Sequence, residues 1–321
     1  MKSRFLNAAV LAIACLASPM TEAQTFPQRP IRIIVPYGAG GSPDVLSRLF
    51  GQKLSESLGQ PVLTDNRPGA SGIIAAELAA KAPADGYTLF IADTGHLAIN
   101  PALRPNLPYD PLRDFAPITI AVQVPLYLVV NVGVPASSVN ELISLTKSRG
   151  DVLYASAGNG SPHHLAMEFF KSMTGAKLTH VPYKGNAQMI PALLAGDVAV
   201  LMSGLTAVRP HMEAGKLRVL GMTSPKRSPI TPDVPTVGES VPGYEASDII
   251  GFLAPAATPR DVVMKLNAEF VKLLALPDVR QRVAGFAMEV VGSTPEQYAE
   301  AIRDKQQRYS ALAKAVGLRV D

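Results

Sequence analysis

The chain has 321 residues, of which 47% are hydrophobic and 17% charged. That balance excludes a disordered protein and leaves room for about two domains. The formal charge of +4 is scattered without a run of like charge, which excludes a nucleic-acid stripe, and one Cys with no Trp excludes a disulfide framework or a Cys-based zinc site.

Lys2 and Arg4 precede an apolar run at 8–17, and Thr21 and Ala23 supply small residues for a cleavage site. This is the layout of a secretory signal peptide over 1–23, and the run is too short for the ~20 residues that span a bilayer. Cleavage after Ala23 would remove Cys15, the only cysteine. Export to the periplasm is expected, with no later membrane span.

From there strands and helices alternate. The patterning predicts a buried strand at 31–35, a helix at 44–58 and a short strand at 62–63 before the turn Asn66-Arg67-Pro68-Gly69. A helix at 73–80 and a strand at 87–92 follow, then β-like runs at 118–122 and 126–130. The middle reads as helix 139–148, strand 152–155, helix 165–173, strand 178–181, helix 187–195, strand 198–202, helix 207–214 and strand 218–222. A Pro-rich stretch covers 225–242 and a strand 249–254. Helices at 260–274, 277–284 and 295–316 close the chain. Alternation of this kind predicts an α/β fold with mainly parallel sheets built from βαβ units.

Two places echo each other. Gly41-Ser42-Pro43 and Gly160-Ser161-Pro162 each follow a strand and a glycine-bearing loop. Each opens a helix, with Ser read as the N-cap and Pro as the first helical residue. Such loops expose backbone N–H groups at the positive end of a helix and favour anions. Two of them facing one cleft would pinch a ligand carrying an anionic group.

Other chemistry fits poorly. Pro43 stands where a dinucleotide fingerprint needs its third glycine, and no Gly-Lys-Ser/Thr follows either loop. Gly69-Ala70-Ser71-Gly72 is one residue short of a nucleophile elbow. His164 and Glu168 are a two-residue metal pair at most, so no metal and no cofactor is implied. Asp44 is placed to stabilise a helix start, and Asp85 a turn.

The segments VPYGAGGSPDVLSR, DNRPGASGIIAAE, DGYTL, YASAGNGSPHHLAMEFF, HVPYKGNAQMIPALLAGDV and VPTVGES occur in this order. With them the chain resembles the Bug family, the solute-binding components of tripartite tricarboxylate transporters. The resemblance implies a two-domain periplasmic binding protein of the Venus-flytrap kind. Its first domain would combine 24–125 with 249–321, and its second would be 126–248. Two crossing strands would form the hinge. Family ligands are small carboxylates, held by backbone amides, hydroxyls and waters with little help from Arg or Lys.

Carried over by position, the first wall of the site is Tyr37, Gly38, Ala39, Gly40, Gly41 and Asp44, with Arg67, Gly69, Ala70 and Ser71 beside it. Asp93 and Thr94 would face the same cleft. The second wall is Ser156, Ala157, Gly158, Asn159, Gly160, Ser161 and His163, completed by Tyr183 and Lys184. Many members carry Phe-Asp where this chain has Met202-Ser203, so Ser203 replaces a carboxylate that would pair with a ligand ammonium. The expected ligand is therefore a dicarboxylate or an aromatic acid, bound by a monomer that serves transporter subunits in the membrane or a sensor kinase. A periplasmic hydrolase or lyase acting on a small acid is the alternative, although no activated nucleophile is offered. A ligand-sensing input protein is another.

Overall fold

The computed structural model describes residues 26–150, 152–183 and 185–317. The signal peptide expected at 1–23 and Lys184 lie outside the described residues. In chain order the first elements are β1 (Ile31–Val35), α1 (Ser42–Leu58), β2 (Val62–Asn66), α2 (Ile73–Ala80), β3 (Thr88–Asp93), α3 (Asn100–Leu103) and β4 (Phe115–Val124). The middle holds β5 (Leu126–Asn131), α4 (Val139–Arg149), β6 (Val152–Ser156), α5 (Pro162–Thr174), β7 (Leu178–Pro182) and α6 (Asn186–Ala195). It continues with β8 (Val200–Gly204), α7 (Leu205–Glu213), β9 (Leu217–Met222) and α8 (Val237–Ser240). The end is β10 (Asp248–Pro255), α9 (Arg260–Leu274), α10 (Pro277–Gly285), β11 (Glu289–Val290) and α11 (Pro295–Val316).

These strands form two sheets. The six-stranded sheet runs β11-β4-β10-β3-β1-β2, and the five-stranded sheet β7-β6-β8-β5-β9. β1 pairs parallel with β2 and β3, but β10 is antiparallel to β3 and β4, and β11 to β4. In the second sheet β6 is parallel to β7 and β8, while β5 is antiparallel to β8 and β9. Both sheets are therefore mixed, which corrects the expectation of mainly parallel ones. Helical crossovers enforce parallel pairing only inside a βαβ unit. β4 passes into β5 through Pro125, and β10 returns after the whole second sheet, so neither is bound by that constraint.

Each sheet is covered on both faces, which is why β1 and β3 are nearly continuous apolar runs. On one face of the first sheet Ile31, Ile33 and Leu89 pack with Phe50 of α1 and with Leu266 and Phe270 of α9. On the other, Ile34 and Phe90 pack with Ala75 and Ala76 of α2 and with Tyr298 and Ile302 of α11. A Cβ on Gly251 would lie 2.5 Å from the Thr119 carbonyl oxygen and 2.6 Å from the Tyr298 hydroxyl, so glycine lets α11 press against β10. In the second sheet the alternation of β5 is clean. Leu126, Leu128 and Val130 face α4 and α5, and Tyr127 and Val129 face α6 and α7. Among the described residues no helix is long and apolar enough to cross a membrane.

Candidate ligand-binding site

The first loop leaves β1 at Val35 and exposes Gly38, Ala39 and Gly40. Its helix begins one residue earlier than the sequence suggested: Gly41 is the N-cap, and Ser42 makes no capping bond. No side chain caps α1; Asp44 reaches back to the loop before it. Its carboxylate accepts hydrogen bonds from the Gly40 N–H (2.9 Å), from Asn66 Nδ2 (2.9 Å) and from Arg48 Nε (3.1 Å). Desolvation works to raise its pKa, but the bonds from Arg48, Gly40 and Asn66 prevail and hold it below the ordinary value. Asp44 is thus a buried brace of the loop.

The neighbouring turn is strained. Ala70, Ser71 and Gly72 are consecutive left-handed residues with φ of 46°, 54° and 79°, a conformation that costs a non-glycine residue roughly 1–2 kcal/mol. Gly72 has no alternative, because a Cβ there would stand 1.9 Å from His96 Nε2. Asn100 Nδ2 holds the turn by donating to the Ser71 carbonyl at 3.2 Å. Arg67 is exposed and turns to Asp65 at 2.9 Å.

Behind the loop, Asp93 at the end of β3 is buried and accepts from the Tyr37 hydroxyl at 2.6 Å. His96 Nδ1 lies 2.6 Å from its other oxygen. Desolvation alone would raise the Asp93 carboxyl; the His96 and Tyr37 contacts hold it down. Desolvation, followed by the Asp93 charge, pushes the Tyr37 hydroxyl well above its usual range, so it stays a neutral donor. Thr94 stitches β3 to β10: its N–H donates to Asp248 Oδ1 at 2.9 Å, and its hydroxyl accepts from the Ile249 N–H at 3.0 Å.

The second loop is built as the sequence suggested. Ser161 caps α5, accepting from the His164 N–H at 3.2 Å, with Pro162 at the first helical position. Gly158 and Gly160 take φ of 114° and 73°. Two stacked histidines support the loop from behind, with ring centroids of His164 and His180 4.0 Å apart. His164 Nδ1 accepts from the Gly160 N–H at 3.1 Å, and Ser156 Oγ lies 2.6 Å from His180 Nε2. Desolvation pushes His164 down to about 4 and lowers His180 as well, so the stack is neutral at pH 7. Glu168 takes the Tyr154 hydroxyl at 2.5 Å and the Lys171 ammonium at 2.6 Å, while His164 Nε2 stays 3.9 Å from it. The spacing that suggested a metal pair therefore serves an internal ion pair. Among the described residues no cluster of three or more His, Cys, Asp or Glu is placed to hold a metal.

The two loops meet. Tyr37, Ser71 and Gly95 from the first sheet, and Ala157, Asn159, Gly160 and Ser161 from the second, line one cavity of 320 Å³. Ile99, Asn100, Leu103, Arg104 and Pro162 complete its wall. The remaining candidates lie around or behind it. Gly38 to Gly41, Gly69 and Ala70 flank the lining residues in sequence without joining the wall. Asp44, Asp93, Thr94, Ser156 and Gly158 brace the backbone. The Tyr183 N–H donates to the Ser156 carbonyl at 2.9 Å. Ser203 is fully buried, its hydroxyl donating to Asn186 Oδ1 at 3.2 Å. His163 Nδ1 is buried without a partner, and desolvation takes the ring down to about 4. A larger groove of 530 Å³ between α3 and α11 contains none of the candidates.

The strand end through Gly95 was expected at the cleft; the part of the wall that sequence reading missed is Ile99, at the end of the π-helical turn Gly95–Ile99, and α3 after it. Its signal was Asn100-Pro101, since proline in the first turn marks a helix start.

The model of the tripartite tricarboxylate transporter family receptor matches residues 46–318. The chain belongs to this family of receptors. BugT of Bordetella pertussis is 37% identical over 313 residues, which cover 97% of this chain and 96% of BugT. Among solved structures, Rpa4515 of R. palustris with adipate shares 37% identity at a TM-score of 0.78, covering 92% of this chain and 99% of that one. MatC of Rhodopseudomonas palustris with bound malate shares 30% identity at a TM-score of 0.73, covering 89% and 99%. The Bug resemblance read from the ordered segments is thus borne out, as is the two-domain α/β binding-protein fold. BugD among the structural neighbours is a periplasmic binding protein, and the TctC protein from Polaromonas is a solute-binding protein.

Proposed function

We propose that this chain captures a small carboxylate without an amino group, a dicarboxylate or an aromatic acid, and delivers it to the membrane subunits of a tripartite tricarboxylate-type transporter. It would do so after export and removal of residues 1–23, as a two-domain monomer. The observation that carries the reading is a cavity lined by Tyr37 of the first loop and by Ala157, Asn159, Gly160 and Ser161 of the second. The Ser161 hydroxyl, which accepts the cap bond and keeps its proton to donate, and the start of α5 beside it suit a carboxylate, and ordered water can bridge the rest. No described lining residue is a carboxylate, so nothing there would pair with an ammonium. Adipate in Rpa4515 and malate in MatC are also acids without an amine. The two domains would be 24–125 with 249–321, and 126–248. Their hinge would be the paired crossings, where Val124 stands opposite Asp248.

The test is calorimetry with diacids, aromatic acids, aspartate and glutamate on the wild type, Gly160→Asp and Gly160→Asn. Gly160 has φ of 73°, a region that Asn and Asp both enter, so the pair isolates the charge. A carboxylate placed on the anion site should cost at least about tenfold in affinity relative to Asn, or ~1.4 kcal/mol. Equal affinities for the two variants, or tight glutamate binding with no response to amine-free acids, would refute the reading.

A further inference from the structure

We propose that Asn100 is a positioning residue: by holding the Ser71 carbonyl it keeps the left-handed turn 70–72 in the cavity wall, and ligand affinity depends on that hold. This rests on the carboxylate-binding reading above and deepens it, because Ser71 and Asn100 both line the same cavity. Left-handed backbone costs Gly72 little and disfavours Ala70 and Ser71. A turn of this kind persists only where its surroundings over-determine it. Two contacts do so here. The His96 ring stands against Gly72 so closely that a Cβ there would lie 1.9 Å from Nε2. Asn100 Nδ2 donates to the Ser71 carbonyl at 3.2 Å.

The anchor is fixed, and the turn is the part under strain. Asn100 directly follows the π-helical turn Gly95–Ile99. Two carbonyls of that wide turn are taken from outside it. The Tyr109 hydroxyl donates to the His96 carbonyl at 2.9 Å, and Gln306 Nε2 of α11 donates to the Leu97 carbonyl at 2.9 Å. Asn100 is itself buried, so water is a poor substitute partner for its amide. Removing the amide takes this donor from the Ser71 carbonyl. Ala70 and Ser71 then gain by relaxing to right-handed or extended backbone. Only molecules that keep the turn present the wall to the ligand, and apparent affinity falls by that fraction. Glycine at position 71 has no such incentive to relax, so it should make Asn100 dispensable.

The experiment is calorimetry with succinate, adipate and benzoate on Asn100→Ala, made on the wild-type, Ser71→Ala and Ser71→Gly backgrounds. Ser71→Ala removes the hydroxyl and keeps the strain, whereas Ser71→Gly removes both. Asn100→Ala should lose about tenfold in affinity on the first two backgrounds and about threefold or less on Ser71→Gly. A merely structural role would give the same loss on all three. Equal losses, no loss on the wild-type background, or a loss that Ser71→Ala abolishes as fully as Ser71→Gly overturns the assignment. If Asn100→Ala does not fold, Asn100→Leu keeps most of the volume without the donor and takes its place. Folding restored by Ser71→Gly and not by Ser71→Ala supports the assignment, and failure on all three backgrounds overturns it. Wild-type protein that binds none of these acids overturns the carboxylate reading instead. In that case, or if a Ser71 background does not bind, ligand-free melting decides for Asn100. A Tm loss smaller on Ser71→Gly than on the other two backgrounds supports its hold on the turn, and equal losses overturn it.

Discussion

Asp93 and Asp248 lie on adjacent strands, both shielded from water, and have very different partners. Asp93 has the Tyr37 hydroxyl and His96. Asp248 has the Thr94 N–H, and Lys305 opposes its protonation from further away. Desolvation, followed by the Asp93 charge, pushes Asp248 up to about 7. A raised carboxyl binds its proton more tightly in the folded state than in the unfolded chain, whose value is ~3.9. The stability it contributes is present below that unfolded value and is lost as pH rises through about 7. Denaturant unfolding between pH 5.5 and 8.5 should show the wild type losing roughly 1–2 kcal/mol that Asp248→Asn retains. Asn keeps an oxygen for the Thr94 N–H, so the variant should fold. Identical slopes for the two proteins would mean that the carboxylates do not share their charge in this way.

At the level of elements, the two echoing loops turn out to be unequal. α5 is capped by Ser161, whereas α1 starts on Gly41 with Asp44 drawn back to the loop. Ser161→Ala should therefore cost about 1 kcal/mol of stability, and Ser42→Ala should stay within roughly 0.5 kcal/mol. Thermal denaturation of both variants checks this, and equal losses would restore the symmetry that the sequence suggests. The long elements were legible because their cores are periodic: the strand predicted at 31–35 is Ile31–Val35, and the helix at 295–316 is Pro295–Val316. α3 was not read, since four residues carry no period and the proline of its first turn was its one signal. That omission mattered, because α3 and its flank bring Asn100, Leu103 and Arg104 to the cavity. Strand direction was also misread. Apolar alternation reports which faces are covered, not which way a neighbouring strand runs.

On the scale of the whole molecule, the second sheet has the character of an insertion into the first. Both of its core clusters are built from residues between Leu126 and Ala246, with Ala287 as the one buried exception. Its ends lie side by side: the Thr223 N–H donates to the Leu126 carbonyl at 2.8 Å, and the Ala246 N–H to the Thr223 carbonyl at 3.1 Å. Neighbouring ends are what let a domain be inserted without strain. The first sheet differs. Its two faces are covered by helices from both sides of the insertion, including Phe270 of α9 and Tyr298 of α11. A fragment of 126–247 should therefore fold alone, with a cooperative denaturant transition, since about 120 residues is an ordinary domain size. A fragment of 26–125 should not fold, because the C-terminal cover of both faces is missing. Circular dichroism of the two fragments through a urea titration distinguishes these outcomes. A 126–247 fragment without a cooperative transition would show that the second sheet depends on the first for its stability, and the hinge would then join parts of one domain.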